Sequence, residues 1–272
     1  MSDSVAHRIQ RPWRPAPMIV GSAALTVAAV AATALRPHLW PWSLGAIVAD
    51  HLLLTGLGLW PRSTLLGSNW TRLPPAASGA VAITIDDGPD PEVTPRVLDI
   101  LDQYAVRATF FCIGDNVLRH AALTREIARR GHAIENHTQR HAHHFSVMGM
   151  RGLAREIGRA QETIAAAVGS APRFFRAPAG LRNPLLDPVL TRFDLQLASW
   201  TRRGFDTVSH DPDTVLGKLT RQLGGGDILL LHDGHAGRTQ AGQPVILEVL
   251  PRLLQAVAGM DLRPITLRAA LT

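Results

Sequence analysis

The sequence predicts an α/β protein: a distorted barrel of seven or eight strand–helix units with an N-terminal membrane segment of one or two helices. Two observations lead to this fold class. From residue 81 onward, short apolar runs alternate with helical patterns, which is the rhythm of a parallel sheet with crossover helices. The first 60 of the 272 residues, by contrast, contain two long apolar stretches with few charges.

The first apolar stretch is long enough to cross a bilayer. Between Arg14 and Arg36 lie 21 residues without a charge, and a transmembrane helix needs about 20. A cleaved signal peptide is the alternative, because small residues at 28–32 resemble a cleavage site. The run exceeds the ~7 to 15 residues of a signal core and a second apolar stretch follows it, so retention is favoured.

The second apolar stretch, residues 37–60, contains Asp50 and His51 near its middle. A charged residue at that depth costs on the order of 2.5 to 3.5 kcal/mol on insertion scales. Tryptophans, which favour membrane interfaces, stand at both ends of the stretch: Trp40, Trp42 and Trp60. This segment therefore spans the membrane, lies in the interface, or packs on the surface of the protein's own following domain. We assign residues 1–60 to a membrane anchor.

Arginines indicate the orientation of this anchor. Arg8, Arg11 and Arg14 precede the first helix, and the positive-inside bias then predicts a cytoplasmic N-terminus. Two spans return the rest of the chain to the cytoplasm, whereas one span places it outside. Arg62 and Arg72 after the second stretch favour the cytoplasmic side. We expect the bacterial inner membrane as the location, and whether the domain after residue 80 lies on its inner or outer face is left open.

Charge and cysteine content argue against other classes of protein. The net charge is +6, but six arginines against Asp3 and Asp50 place +4 of it in residues 1–75, which leaves +2 in the rest. No basic run with interleaved aromatics occurs there, so no nucleic-acid partner is predicted. The single cysteine, Cys112, lies in an apolar run and excludes an intrachain disulfide framework.

Residues 61–80 are predicted as a linker and residues 81–272 as the catalytic domain. Its predicted strands cover residues 81–86, 108–113, 133–136, 174–176, 195–200, 228–232 and 264–267. Helical patterns separate most of them, for example at 91–104, 153–168 and 245–257. Seven or eight strands in this alternation favour a barrel over an open sheet.

Polar residues stand at the C-terminal ends of these strands. They are Asp86, Asp87, His137, Arg176 and His232. Active sites of barrel enzymes gather at that face. The sequence therefore predicts one active site built from all five residues.

Asp86 and Asp87 end the first strand and are followed at once by Gly88 and Pro89. If one carboxylate binds a cation, the local positive charge keeps both ionised, and the other is free to act as a base. A solvated Asp–Gly turn is the alternative interpretation.

His137 and His141 are four residues apart, one turn if the segment is helical, so that both could reach one cation. Asp87 is the natural third ligand. Two imidazoles and one carboxylate leave open positions for water and substrate, as catalytic zinc requires. His143 and His144 follow closely, and a solvated histidine-rich loop is the alternative.

His232 ends the apolar strand at 228–232 and could protonate a leaving amine. A single histidine at a strand end is more often structural. Its functional interpretation rests on the other polar residues at the same face.

Together these residues resemble the NodB-type polysaccharide deacetylases, carbohydrate esterase family 4, whose five short motifs occur in order between residues 81 and 267. The resemblance implies a NodB-like barrel and a divalent metal, zinc, on Asp87, His137 and His141. It implies Asp86 as the general base and His232 as the general acid.

Two further motifs of this family contain additional functional residues, and each motif differs from the usual family pattern at one position. In the third motif, Arg176 would orient the catalytic aspartate, and Ala179 replaces a common aromatic residue. In the fourth motif, Asp206 would tune the acid histidine, and Thr207 replaces the usual tryptophan. Loss of a stacking surface weakens the case for a long polysaccharide substrate.

The resemblance implies a hydrolase of carbon–nitrogen bonds other than peptide bonds, which removes the N-acyl (acetyl) group of a sugar in a polysaccharide or glycan and releases acetate. Because of the membrane segment, a deacylase or deformylase of a lipid-linked sugar at the inner membrane is the alternative. A non-catalytic glycan-binding membrane protein is a third reading, which the complete set of acid, base and ligands disfavours. The expected partners are this sugar substrate and the membrane.

Overall fold

Eight parallel strands form the central sheet in the computed structural model, which describes residues 12–271. The strands are β1 (Ala80–Asp86), β2 (Thr109–Cys112), β3 (Ala133–Asn136), β4 (Phe174–Phe175), β5 (Gln196–Leu197), β6 (Arg202–Arg203), β7 (Ile228–His232) and β8 (Arg263–Pro264). Their order is β5-β4-β3-β2-β1-β7-β6, with β8 paired to β1. Every strand pair is parallel.

The two edge strands of this order, β5 and β6, are consecutive in the chain. Only residues 198–201 connect them, and so short a connection spans less than about 20 Å even when fully extended. The sheet therefore curves until its edges approach each other. This confirms the predicted α/β fold as a partly closed barrel.

Nine α-helices accompany the strands in the described part of the chain. They are α1 (Pro17–Leu35), α2 (Trp40–Leu59), α3 (Thr94–Gln103), α4 (Gly114–Arg119), α5 (Ala121–Arg129), α6 (Met150–Val168), α7 (Leu186–Arg192), α8 (Pro212–Thr220) and α9 (Val245–Gly259). The helix predicted over 91–104 begins only at Thr94. Asp90 Oδ1 accepts hydrogen bonds from the backbone N–H groups of Glu92 (2.8 Å) and Val93 (2.9 Å), which hold a turn before the helix.

Side chains of the strands alternate between two cores, as the two-residue period of a strand requires. On β1, Ile83 and Ile85 face an outer core that also contains Leu253 of α9. Ala80 and Ala82 face the interior of the barrel. Larger side chains complete this interior core: Phe111, Phe174, Trp200 and Leu230.

Strand β6 was not predicted. The strand expected over 195–200 is limited to Gln196–Leu197, and the chain then turns and forms β6 against β7. Two adjacent arginines show no apolar alternation, so the sequence pattern gives no indication of this strand. β8, Arg263–Pro264, also begins one residue before the predicted strand at 264–267 and is shorter.

The segment predicted as a linker, residues 61–80, packs on the barrel instead. Leu66 and Leu73 are buried. Trp70 extends the sheet beside β5, where its N–H donates to Leu197 O (2.8 Å) and its carbonyl accepts from Ser199 N–H (2.9 Å). Ala80 already belongs to β1. This segment therefore has no separate, extended linker structure.

Helices α1 and α2 form a hairpin, joined by a short 3₁₀ turn at Pro37–Leu39. The segments Pro17–Leu35 and Pro37–Leu59 are both long and apolar enough to span a membrane, with mean hydropathies of 2.0 and 1.4. No residue of α1 is buried. Asp50 of α2 is buried between the helices and accepts a hydrogen bond from Ser22 Oγ at 2.5 Å.

The open end of the hairpin contacts the barrel. Arg182 N–H donates to Gly58 O near the end of α2 (3.1 Å), and Trp13 Nε1–H donates to Asp187 (2.8 Å). Arg72, one of the arginines used to predict orientation, forms an ion pair with buried Asp227 (3.1 Å). Two others, Arg8 and Arg11, lie outside the described residues.

Candidate active site

Parallel strands bring the predicted polar residues to one edge of the barrel. Asp86 is the last residue of β1 and lies in register with His232, the last residue of β7. His137 follows β3 directly, and Arg176 follows β4 directly. All four side chains are buried.

Asp87, His137 and His141 form a cluster whose potential ligand atoms all lie within 4.8 Å of one another. His137 Nε2 is 3.2 Å from Asp87 Oδ1, and His141 Nε2 is 3.3 Å from the same oxygen. Asp87 Oδ1 is buried and accepts no hydrogen bond from the residues described. A divalent cation between these three groups would satisfy that oxygen.

The loop that carries the two imidazoles is not helical, so a helical turn is not what brings His137 and His141 together. Thr138 and His141 adopt positive φ angles of 66° and 53°. Asn136 Oδ1 accepts from Thr138 N–H, and Thr138 Oγ1 accepts from His141 N–H, both at 2.9 Å. The resulting tight loop still places the rings of His137 and His141 with centroids 4.9 Å apart.

Protonation in the cluster suits a cation. His137 Nδ1 lies 2.8 Å from Arg176 O, a contact that turns Nε2 towards the cluster. Burial would raise the pKa of Asp87, but the neighbouring imidazoles of His137 and His235 lower this pKa well below its usual range. Burial lowers the pKa of His141 to about 4, which keeps this imidazole neutral.

Asp86 and Asp87 have different partners. Arg176 Nη1 donates to Asp86 Oδ1 at 2.6 Å and to Thr84 Oγ1 at 2.8 Å. Two backbone carbonyls, Ala198 O and Ser199 O, accept its other N–H groups. Burial lowers the pKa of this guanidinium, and Asp86 opposes the shift. Both aspartates are at least 94% shielded from solvent, with 3% and 6% exposure, which rules out the solvated turn.

Asp206 contacts His232 through both carboxylate oxygens. Oδ2 accepts from His232 N–H at 2.7 Å, and Oδ1 lies 2.9 Å from Nδ1. Burial disfavours the imidazolium form of His232, but the charge and hydrogen bond of Asp206 outweigh burial and raise the pKa of His232. Thr207, the residue after Asp206, lines a cavity beside His232.

The cavity beside His232 has a volume of about 240 Å³ and joins the cluster of Asp87, His137 and His141 to Asp86 and His232. Three residues that line this cavity were not predicted from the sequence: Trp200, Arg203 and His235. His235 Nδ1 lies 3.4 Å from Asp87 Oδ2. The sequence could have indicated His235, because this residue lies three positions after His232, in the turn beyond the end of a strand. His143 also lines the cavity, whereas His144 is simply exposed.

Three comparisons relate the chain to known proteins. The family model described as polysaccharide deacetylase matches residues 74–198. A peptidoglycan-N-acetylglucosamine deacetylase of Bacillus cereus is 35% identical over 175 residues, covering 64% of this chain and 81% of the relative. A chitooligosaccharide deacetylase of Sinorhizobium fredii is also 35% identical over 175 residues, covering 60% and 76%.

A solved structure agrees with these sequence relatives. The family 4 carbohydrate esterase from Streptomyces lividans, in complex with acetate, superimposes with a TM-score of 0.62 at 31% identity. The match covers 69% of this chain and 92% of that one. The chain therefore belongs to the polysaccharide deacetylase family, carbohydrate esterase family 4, whose members hydrolyse carbon–nitrogen bonds other than peptide bonds.

Proposed function

We propose that this chain removes the N-acetyl group of a sugar within a glycan and that Asp87, His137 and His141 hold a divalent cation, zinc. The observation that carries the proposal is that two neighbouring carboxylates have different partners. Asp87 faces two imidazoles with an unsatisfied oxygen, whereas Asp86 is bound by Arg176. The named activities of the bacterial relatives, on peptidoglycan and chitooligosaccharides, agree with this assignment.

Asp86 acts as the general base in this proposal. Its Oδ1 is held by Arg176, and its Oδ2 lies towards the metal-site cluster, 3.9 Å from His137 Nε2. The charge of Arg176 favours the ionised carboxylate, which accepts a proton from the attacking water. Arg176 is thereby a positioning residue for the base.

His232 acts as the general acid. Asp206 binds Nδ1 and raises the pKa of the imidazole, so that Nε2 carries a proton towards the cavity. This proton is transferred to the sugar nitrogen as the carbon–nitrogen bond breaks. The backbone N–H of Ala179, in the cavity wall, supports the oxyanion of the tetrahedral intermediate.

A bound divalent cation would polarise the amide carbonyl and acidify water, which are the two contributions this chemistry requires. The chain's own residues determine whether it binds. His141 is neutral at pH 7 and keeps a free lone pair, while the lowered pKa of Asp87 keeps its carboxylate ionised.

A second candidate is the deacylation or deformylation of a lipid-linked sugar at the inner membrane of a bacterium. The hairpin favours it, because α2 ends against the loop that follows Arg176. We propose residues 1–60 as the membrane anchor, residues 61–80 as a connection that packs on the barrel, and residues 81–272 as the catalytic domain.

Acetate release from N-acetylglucosamine oligomers tests the base. Asp86→Asn should lower the rate by about 10²- to 10⁴-fold, the usual contribution of general acid–base catalysis. Asp99→Asn is the matched control, since Asp99 is an exposed carboxylate paired with Arg130 on the outer surface. Metal content and thermal unfolding are measured for all forms. Equal release by wild type and Asp86→Asn, with metal bound to both, would contradict the mechanism, whereas release by neither form would favour a glycan-binding protein.

A further inference from the structure

Strand β6 presents two adjacent arginines to opposite sides of the sheet, because side chains alternate along a strand. Arg202 Nε donates to buried Asp227 at 3.0 Å, and Arg202 Nη2 donates to Gln222 O. Arg203 faces the other side and lines the active-site cavity. It forms no ion pair with any residue between 12 and 271.

Aromatic rings hold Arg203 in place. Its guanidinium carbon lies 5.4 Å from the centroid of Trp200 and 4.8 Å from that of Phe205. Its Nε is buried and has no hydrogen-bond partner within the part of the chain that the structure describes. Stacking against rings leaves the N–H edge of a guanidinium available for a planar, bidentate partner.

A partly buried cation without a carboxylate partner is costly unless a ligand supplies the opposite charge. The N-acetyl sugar itself is neutral and offers Arg203 only hydroxyl and carbonyl oxygens. Phosphate and carboxylate oxygens are the groups that match the guanidinium fork. Arg203 therefore indicates a substrate with an anionic substituent near the scissile amide.

The hairpin indicates where such a substituent comes from. Ala177, Ala179 and Gly180 form one wall of the cavity. A side chain added at Gly180 would come within 2.6 Å of Pro61, two residues after the end of α2. With α2 in a membrane, the cavity lies at the membrane surface, where the phosphate of a lipid-linked sugar is located.

We propose that Arg203 binds the phosphate that links the substrate sugar to a membrane lipid and that it thereby determines substrate specificity. The proposal rests on the proposed deacylase function and names its substrate class. Two parallel N–H···O bonds from the guanidinium would hold the phosphate while the amide reaches the Asp86 and His232 side of the cavity.

The test compares three soluble probes with the full-length protein in detergent: an alkyl phosphate ester of N-acetylglucosamine at C1, the neutral methyl glycoside, and N-acetylmuramic acid, which carries a carboxylate. Wild type should prefer the phosphate ester. Arg203→Gln should lower the ratio of kcat/KM for the phosphate ester to that for the methyl glycoside by about 10- to 100-fold, mainly through KM, as expected for loss of a charged hydrogen bond. Arg203→Lys, which keeps the charge without the fork, should recover part of this preference.

Lys218→Gln is the matched control. Lys218 Nζ lies 5.0 Å from the Phe205 ring but lines no part of the cavity, so this variant should keep the wild-type preference. An equal effect of Arg203→Gln on all three probes, or a selective loss on N-acetylmuramic acid, would overturn the phosphate assignment. If wild type hydrolyses none of the probes, the deacylase function fails. Calorimetric binding of the phosphate ester to wild type and Arg203→Gln then decides the role of Arg203 separately.

Discussion

The hairpin and the barrel use the same apolar residue types in opposite ways. In the hairpin, Val27 and Leu52 are 69% and 68% exposed, whereas in the barrel Ile85 and Leu253 are completely buried. The hairpin instead buries Asp50 against Ser22. The barrel buries its apolar side chains, as expected for a domain in water, whereas the hairpin exposes them.

Polar residues show the same contrast. In the hairpin, Asp50 lies within an apolar segment and accepts a hydrogen bond from Ser22 of the neighbouring helix. In the barrel, polar side chains gather where strands end, since strand interiors are occupied by the two cores. The hairpin therefore places a polar residue between its helices, whereas the barrel gathers its polar residues at the strand ends, where the candidate site lies.

The largest expected effect comes from truncating the barrel core. Leu253→Ala removes a completely buried side chain that contacts the sheet from α9, and should lower the free energy of unfolding by about 2 to 5 kcal/mol. Denaturant unfolding of the detergent-solubilised protein measures this change. Leu52→Ala, at an exposed hairpin position, should leave the unfolding midpoint of the barrel unchanged. Similar losses for both variants would contradict the contrast between the two regions.

A charge placed in the hairpin should act on membrane attachment and leave the barrel unchanged. Val27→Arg puts a guanidinium near the middle of α1, where insertion scales give a cost of about 2.5 to 3.5 kcal/mol. More of the protein should then be released from membranes by alkaline carbonate, as measured by immunoblotting.

Leu118→Arg is the control for this charge, since Leu118 on α4 is 63% exposed and belongs to the barrel domain. It should leave both attachment and activity at the wild-type level. If Val27→Arg is retained in membranes as firmly as wild type, the exposed apolar face of α1 contacts a partner other than lipid.

Strand ends made much of the site predictable. Asp86, His137 and His232 end or follow runs of buried residues, and parallel pairing then brings them together whatever the exact strand lengths. The loop at His137 and His141 was not predictable, because it depends on a positive φ angle at Thr138, which is unusual for a β-branched residue.

Arg203 shows a second limit of the sequence. Which of two adjacent arginines faces the cavity depends on the pairing of β6 with β7, and neither arginine has an apolar pattern around it. The packing of residues 61–79 could not be predicted from the sequence for a related reason. Their contacts join Trp70 to Leu197 and Ser199, over a hundred residues away, and leave no local periodicity.

A buried imidazole provides the smallest expected stability difference between the barrel and the hairpin. In the barrel, His132 is 5% exposed, its Nδ1 accepts a hydrogen bond from Ala108 N–H at 3.1 Å, and burial lowers its pKa to about 4. The hairpin histidines, His38 and His51, are exposed.

Acid should therefore weaken the barrel through His132. Above pH 6.5 the group is neutral in both states, and as the pH falls towards 4 the unfolded chain binds a proton that the folded chain excludes, so stability is lost. Between pH 7.5 and 5.0 this loss amounts to about 2 kcal/mol.

His132→Gln keeps an acceptor for Ala108 N–H but cannot titrate. Urea unfolding at the two pH values should show a pH-dependent loss about 2 kcal/mol smaller in this variant than in wild type. An equal loss in both would mean that His132 is protonated in the folded barrel, and that the interior beside Phe110 admits a charge.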